Sequence, residues 1–391
     1  MVLGSTVTAT IALGHVACFG DVEAQETTPP SLIAEGTISG QDDHACAVGR
    51  DGSLWCWGNN YGGSIGDGTT TTAIAPVRIG GDIAWRSVAA SGNHTCAIRV
   101  DASLWCWGSN AVGQTSSSVS QDRLVPERVG GNNDWVKVAV GGGHSCGIRR
   151  DGGLWCWGGQ DYGQWRHGEG LAPPPGATPV RREGSSTWVD VAAHIYQVCG
   201  VRADGSLWCA PDGTATGAAV PHGGTDSRQG DPPYVYAFQR VGTATDWMRV
   251  TVGVRGICAT RTNGTLWCSG ELHPDGAVQE PKQVDGATDW TGIASAAYGF
   301  CATKQDGSLF CLGFAQRLGD ERPPTTLSKI TQVQRVLGVA ALGGTVCIQT
   351  SDGIVSCWGS NIQGELGRGE PASYDTPRQP LAPVSGPLGA R

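Results

Sequence analysis

Seven pairs of cysteines, each pair ten positions apart, constrain this 391-residue chain more than any other feature. They are Cys46 with Cys56, Cys96 with Cys106, Cys146 with Cys156, Cys199 with Cys209, Cys258 with Cys268, Cys301 with Cys311, and Cys347 with Cys357. Only Cys18 is left over. Six pairs carry one kind of dipeptide at their midpoint: Asp51-Gly52, Asp151-Gly152, Asp204-Gly205, Asn263-Gly264, Asp306-Gly307 and Asp352-Gly353. The second pair has Asp101-Ala102 instead. A three-residue loop ending in glycine closes a bulged β-hairpin through a type I turn and one left-handed residue. With Arg50-Asp51-Gly52 as that loop, Gly49 faces Ser53, Val48 faces Leu54 and Cys46 faces Cys56. Alternation outward from the closing pair puts the cysteines at a non-hydrogen-bonded position, where the backbones approach closely enough for a bridge. Alanine is strained in a left-handed conformation, so the turn at Ala102 has reason to be built differently.

Zinc is the competing use of cysteine. Zinc sites set two ligands about two to four residues apart and add a second such pair, which does not occur here. All fourteen paired cysteines are therefore expected to form disulfides, which implies an oxidising compartment, extracellular or periplasmic.

A tryptophan lies eleven residues before the first cysteine in five repeats, as Trp85, Trp135, Trp188, Trp247 and Trp290; Val336 and Glu35 stand there in the seventh and first. A short apolar stretch such as Val88-Ala89-Ala90 follows, then the hairpin. The distance from the second cysteine to the next Trp position varies (29, 29, 32, 38, 22 and 25), so the variation falls in a connector. Connectors also carry a Pro-flanked strand, as in Pro76-Val77-Arg78-Ile79 and Pro126-Glu127-Arg128-Val129. Four strands, a period near fifty and seven copies specify an all-β, seven-bladed β-propeller. Ile38-Ser39-Gly40 starts inside a repeat and Pro377–Leu381 resembles an outer strand, so the ring is expected to close by N- and C-terminal strands sharing a blade.

The unit Gly-x-x-His-[Ser/Thr]-Cys-x-[Ile/Val]…Asp-Gly-x-Leu-Trp-Cys-Trp-Gly, clearest at Gly141–Gly158, resembles the RCC1 repeat. So does the tail Asn361-Ile362-Gln363-Gly364-Glu365-Leu366-Gly367. The resemblance covers residues 36–381 and is looser in repeats four to six, where Ala210, Ser269 and Leu312 replace the second Trp. It implies a seven-bladed propeller that binds macromolecules through its loops. The paired cysteines are similar to those of secreted bacterial members rather than nuclear ones.

The resulting organisation is a signal-like or disordered segment at 1–32, a propeller at 33–381 and a tail at 382–391. No run reaches the length of a membrane span. The charge of −8 is spread without a basic cluster, which argues against nucleic acid. His44, His94 and His144 recur two residues before the first cysteine and read as structural hydrogen-bonding groups rather than metal ligands. The Trp residues read as blade packing. No catalytic constellation stands outside the repeat, and no metal or cofactor is expected.

The pattern breaks most in residues 159–183 and 210–238. Aromatic and Arg residues on loops have the composition of interaction hot spots, which selects Tyr162, Arg166, Arg228, Tyr234, Tyr236 and Phe238 as partner-binding candidates. The bland alternative is that these aromatics cover their own blade. The expected function is a monomeric, secreted, non-enzymatic scaffold for a protein or peptide. The alternatives are a guanine-nucleotide exchange factor of the RCC1 type, or an extracellular carbohydrate binder or enzyme built on the loops.

Overall fold

In a computed structural model of the chain, the described residues are 38–116, 120–159, 178–182, 186–195, 197–210, 238–254, 256–270, 273, 278–295, 299–313, 327–369 and 373–374. Two compact units divide at residue 32, and all described residues belong to Ile33–Arg391.

Seven antiparallel sheets of four strands form the seven blades of a propeller. Blade two shows the plan: an inner strand Trp85–Ser91, a second strand His94–Arg99, a third strand Leu104–Gly108 and an outer strand Arg123–Arg128. The inner strands of blades one to seven (Ile38–Gln41, Trp85–Ser91, Trp135–Val140, Trp188–His194, Trp247–Gly253, Trp290–Ser295 and Val336–Ala341) touch their neighbours all the way round. They therefore form the inner wall of the ring. The only helix among the described residues is one 3-10 turn, Tyr61–Gly63.

The hairpin between the second and third strands has the register expected from the cysteine spacing. Val48 faces Leu54, Cys46 faces Cys56, and Gly49 N–H donates to Ser53 O at 2.8 Å. Each blade holds one disulfide across this hairpin. In blades one to four Cys46 is bonded to Cys56, Cys96 to Cys106, Cys146 to Cys156, and Cys199 to Cys209. In blades five to seven Cys258 is bonded to Cys268, Cys301 to Cys311, and Cys347 to Cys357. The bridged Cα atoms are 4.0–4.1 Å apart, as close cross-strand pairing requires. The turn aspartates act as expected and add a relay. The Ser53 hydroxyl donates to the Asp51 carboxylate at 2.6 Å and accepts from Trp55 Nε1 at 2.8 Å. The Ser53 bonds hold the Asp51 carboxyl below the usual carboxylate range.

Ala102 does not build a different turn. It sits at φ 63° with the same Ala102 N–H to Arg99 O bond, 2.9 Å, that glycine makes elsewhere. Surrounding pairing holds it there, since Trp135 N–H also donates to Ala102 O at 3.1 Å. Ala102→Gly is expected to raise unfolding stability by about 1 kcal/mol, read as a higher urea midpoint at unchanged slope.

The ring closes differently from the expectation. Blade one is built wholly from Ile38–Gln41, His44–Val48, Leu54–Gly58 and Ala73–Ile79, and the last described strand, Ser373–Tyr374, pairs with blade seven. The first repeat supplies its own outer strand locally, so pairing it with the far end of the chain would only add loop-closure entropy. Residues 377–381 lie outside the described residues. Closure is by packing and hydrogen bonds: Gln349 Nε2 to Val48 O at 3.1 Å, Gly343 N–H to Asp42 O at 2.9 Å, and Trp57 Nε1 to Glu365 O at 2.8 Å.

The core is divided among the blade boundaries. Between blades one and two, Cys46, Leu54 and Cys56 meet Trp85, Val88 and Trp107. Cys96 and Cys106 meet Trp135 and Trp157 at the next boundary, and Cys146 and Cys156 meet Trp188 and Phe238 at the one after. Cys199 and Cys209 pack with Trp247, and Cys258 and Cys268 with Trp290. Cys301 and Cys311 face Val336 and Trp358 of blade seven. The disulfides thus lie inside the core rather than on its surface; no paired cysteine is more than 4% exposed.

Candidate functional site

Strand direction assigns every connection to one of two faces. The Asp-Gly hairpins and the outer-to-inner connections share one end, here the hairpin face. The inner-to-second turns and the third-to-outer connectors share the other, the loop face. Outer-to-inner connections are uniformly short, five residues between Ile79 and Trp85 and six between Arg240 and Trp247. Third-to-outer connectors range from seven residues (Gly270 to Val278) to 28 (Ala210 to Gln239). The length variation seen in the sequence therefore starts and ends on the loop face.

Of the partner-binding candidates, Phe238 is described, and it is 8% exposed in the core beside Ala210. Its ring lies 5.0 Å from that of Trp188, much as Trp107 lies 6.0 Å from Trp85. Phe238 thus fills the space that the second Trp fills in regular blades and that Ala210 leaves open. Tyr162, Arg166, Arg228, Tyr234 and Tyr236 lie outside the described residues.

The recurrent histidines join blades. His44 Nε2 pairs with Thr95 Oγ1 of the next blade at 2.8 Å, and His94 Nε2 with Ser145 Oγ at 2.8 Å. The same hydroxyls donate to Ser64 O and Gln114 O, which also accept from Trp107 Nε1 and Trp157 Nε1, each at 2.9 Å. Asn60 and Asn110 shape those loops by accepting from Ile65 N–H and Thr115 N–H. The second Trp and the Asn loop of the preceding blade are therefore two halves of one joint. Burial pushes the His44 imidazole down to about 4, and His94 and His144 down to about 3, so all three are neutral near pH 7. Among the described residues no cluster of His, Cys, Asp and Glu could hold a metal ion.

Three further groups hold the blades in ways that the repeat pattern alone does not assign. First, the third residue after the first cysteine is a cation in five blades. Arg99 lies over Trp85 and Trp105 (5.1 and 3.4 Å), Arg149 over Trp135 and Trp155 (4.5 and 4.0 Å), and Arg261 over Trp247 and Trp267 (4.5 and 3.8 Å). Arg202 and Lys304 repeat the arrangement. Each contact contributes about 0.5–2 kcal/mol by cation–π attraction, and the recurrence at a fixed distance from cysteine was its sequence signal.

Second, Asp190 is 3% exposed at its side chain and links three blades. It pairs with Lys137 of blade three and accepts from Val250 N–H of blade five at 2.7 Å. Asp190→Ala leaves Lys137 and a buried N–H without this partner. It is expected to cost about 3–5 kcal/mol of unfolding free energy, read from urea midpoints.

Third, the residue after each inner-strand Trp is skipped by the pairing register. Arg86, Val136, Val189, Met248 and Thr291 are bulged out in this way, as is Leu337 after Val336. Their position directly after the repeat marker was visible in sequence, but alternation alone did not predict the bulge.

Comparison with known proteins agrees with this geometry. Two family models, both described as "Regulator of chromosome condensation (RCC1) repeat", match residues 85–114 and 135–164, and residues 51–98 and 101–148. A search of the curated proteins finds no match. Human WBSCR16 superposes at TM-score 0.71 with 17% identity, over 86% of this chain and 94% of that one. Prp20p from Saccharomyces cerevisiae, whose structural report concerns binding to Gsp1p and histones, superposes at 0.69 with 17% identity, over 90% and 88%. Yeast RCC1 (Prp20) bound by Kap60 superposes at 0.70 with 18% identity, over 98% and 92%. At such identities the likeness concerns the fold. The repeat matches within residues 51–164 and the ring of seven four-stranded blades together make this chain similar to the RCC1-repeat propellers.

Proposed function

We propose that the chain is a non-enzymatic recognition scaffold of an oxidising compartment, extracellular or periplasmic, that binds a protein or peptide partner through its loop face. The observation that carries this reading is the segregation of length. Around a ring whose blades repeat closely, the long insertions at 159–179 and 211–238 both begin and end on one face. A scaffold that fixes the blade and varies loops at one end is how repeat folds present binding surfaces. Seven disulfides inside the core support the oxidising compartment. Among the described residues no helix is long and apolar enough to cross a membrane.

The test replaces residues 211–237, and separately 160–177, by short Gly-Ser linkers, and follows capture of secreted proteins by the immobilised chain. Loss of a specific captured protein from either variant, with blade disulfides intact, is the expected result. Capture unaffected by both replacements would overturn the loop-face reading, and binding confined to glycans on an array would favour a carbohydrate binder.

A further inference from the structure

The hairpin face has its own unfilled surface at the mouth of the ring. Bulging turns the residue after the inner-strand Trp out of the blade-to-blade core. Val136 is 49% exposed, Val189 55%, Met248 36% and Leu337 38%, although each follows a buried residue on an inner strand. On the adjoining hairpin Val100 is 65% exposed, held there by its N–H bond to Ala84 O. A water-exposed apolar rim repeated at one position of the repeat has no packing purpose within the ring.

The same mouth carries two guanidiniums, those of Arg86 and Arg150. Arg86 reaches from blade two to blade three and donates to Trp135 O at 2.7 Å and Val136 O at 3.1 Å, which places its guanidinium beside the exposed valine. Arg150 is anchored next to the same strand by its backbone bond to Asp134 O. Burial, and then the Arg150 charge, push the Arg86 guanidinium below its ordinary value, so the two cations feel one another. Of the nearby carboxylates, Asp134 pairs with Arg149 and Asp151 with Arg181, while Asp101, beside Val100, accepts from the Ser103 hydroxyl. Among the described residues no ion pair joins a carboxylate to Arg86 or Arg150.

We propose that the hairpin-face mouth formed by Val100, Val136 and Val189 with Arg86 and Arg150 is a docking site for a peptide that carries apolar side chains flanked by carboxylates. The apolar side chains cover the exposed valines, and the carboxylates neutralise the two guanidiniums, which suit bidentate pairing. This surface is distinct from the loop-face connectors and does not depend on them.

The probes are two fluorescein-labelled synthetic peptides of equal length. One alternates Leu with Asp and Glu, and its counterpart has Lys in place of every acid. Anisotropy titrations use the oxidised full chain at low and high salt. The acidic peptide is expected to bind, to weaken with salt, and to bind at least about ten-fold more tightly than the Lys peptide. Arg150→Gln, which removes no side-chain ion pair of the described residues, should weaken it several-fold, and Arg86→Gln/Arg150→Gln by at least about ten-fold. Val136→Asp should weaken it further, while the 211–237 linker variant should bind as the parent does. Equal binding of both peptides, no binding of the acidic one, or an unaffected Arg150→Gln variant would overturn the proposal. Loss in the linker variant would instead move the site to the loop face.

Discussion

Reduced in denaturant and returned to native buffer with reductant still present, the chain is expected not to regain its ring. Each bridge closes a loop of about eleven residues and contributes about 2–3 kcal/mol in the chain-entropy model. Seven such bridges amount to roughly 14–21 kcal/mol, which equals or exceeds the whole net stability of an ordinary protein, about 5–15 kcal/mol. The thiols themselves would fit, because free cysteine behaves as a small apolar side chain. What is lost is the constraint on the unfolded chain. Cys46 and Cys56 are both fully buried, so reductant alone should act slowly on the folded ring. Circular dichroism melts of oxidised and pre-reduced protein measure the difference; melting points within a few degrees of each other would show that the bridges add little.

Acidification is expected to weaken the ring well before its carboxylates titrate. His44, held down to about 4, and His94 and His144, held down to about 3, are neutral and buried in the fold but free to protonate at 6.5 when unfolded. Below pH 6.5 the unfolded chain binds more protons than the folded one, so stability falls with falling pH. The loss is about 1.4 kcal/mol per pH unit for each histidine, or on the order of 4 kcal/mol per unit for the three, down to about pH 4. His194, also pushed down by burial, adds in the same direction, and the Asp42 charge opposes it there and at His44. Asp43 and Glu365, whose carboxyls burial pushes up, oppose the loss toward the acid end. The turn carboxylates of Asp51 and Asp101, held down by their Ser partners, act only from the ordinary carboxylate range downward, where they add to the loss. Urea midpoints at successive pH values between about 7.5 and 4.5 should trace this slope, and His94→Gln, which can still bond Ser145, should reduce it by about a third. A midpoint that stays flat to about pH 5 would contradict the buried neutral state.

Local chemistry was legible in the sequence and distant chemistry was not. Cysteine spacing and the Asp-Gly turn specify a hairpin register, because both partners lie within eleven residues of each other. The same reasoning reached the irregular blades, where Cys209, Cys268 and Cys311 meet their partners although the Trp that follows them elsewhere is missing. The joint between His44 and Thr95, the ion pair of Lys137 with Asp190 and the substitution of Phe238 for a missing Trp all connect residues at least 28 positions apart. No local pattern announces those partners. Phe238 shows the consequence: composition marked it as a contact residue, whereas the space left by Ala210 made it core. Ring closure was misjudged for a related reason. The C-terminus displays a sequence suited to an outer strand, but blade one already has one in the connector strand that includes Pro76–Ile79. The valines at the hairpin-face mouth were invisible to alternation, since a bulge breaks the period that alternation reads.

One bridge within each blade is the central structural claim, and peptide mapping by mass spectrometry without reduction measures it. After alkylation in denaturant, the expected result is seven linked peptides, each joining cysteines ten positions apart, from Cys46 with Cys56 to Cys347 with Cys357. Alkylation should then label Cys18 at most. Fourteen alkylated cysteines in protein isolated without reductant, or bridges that cross from one blade to another, would contradict it.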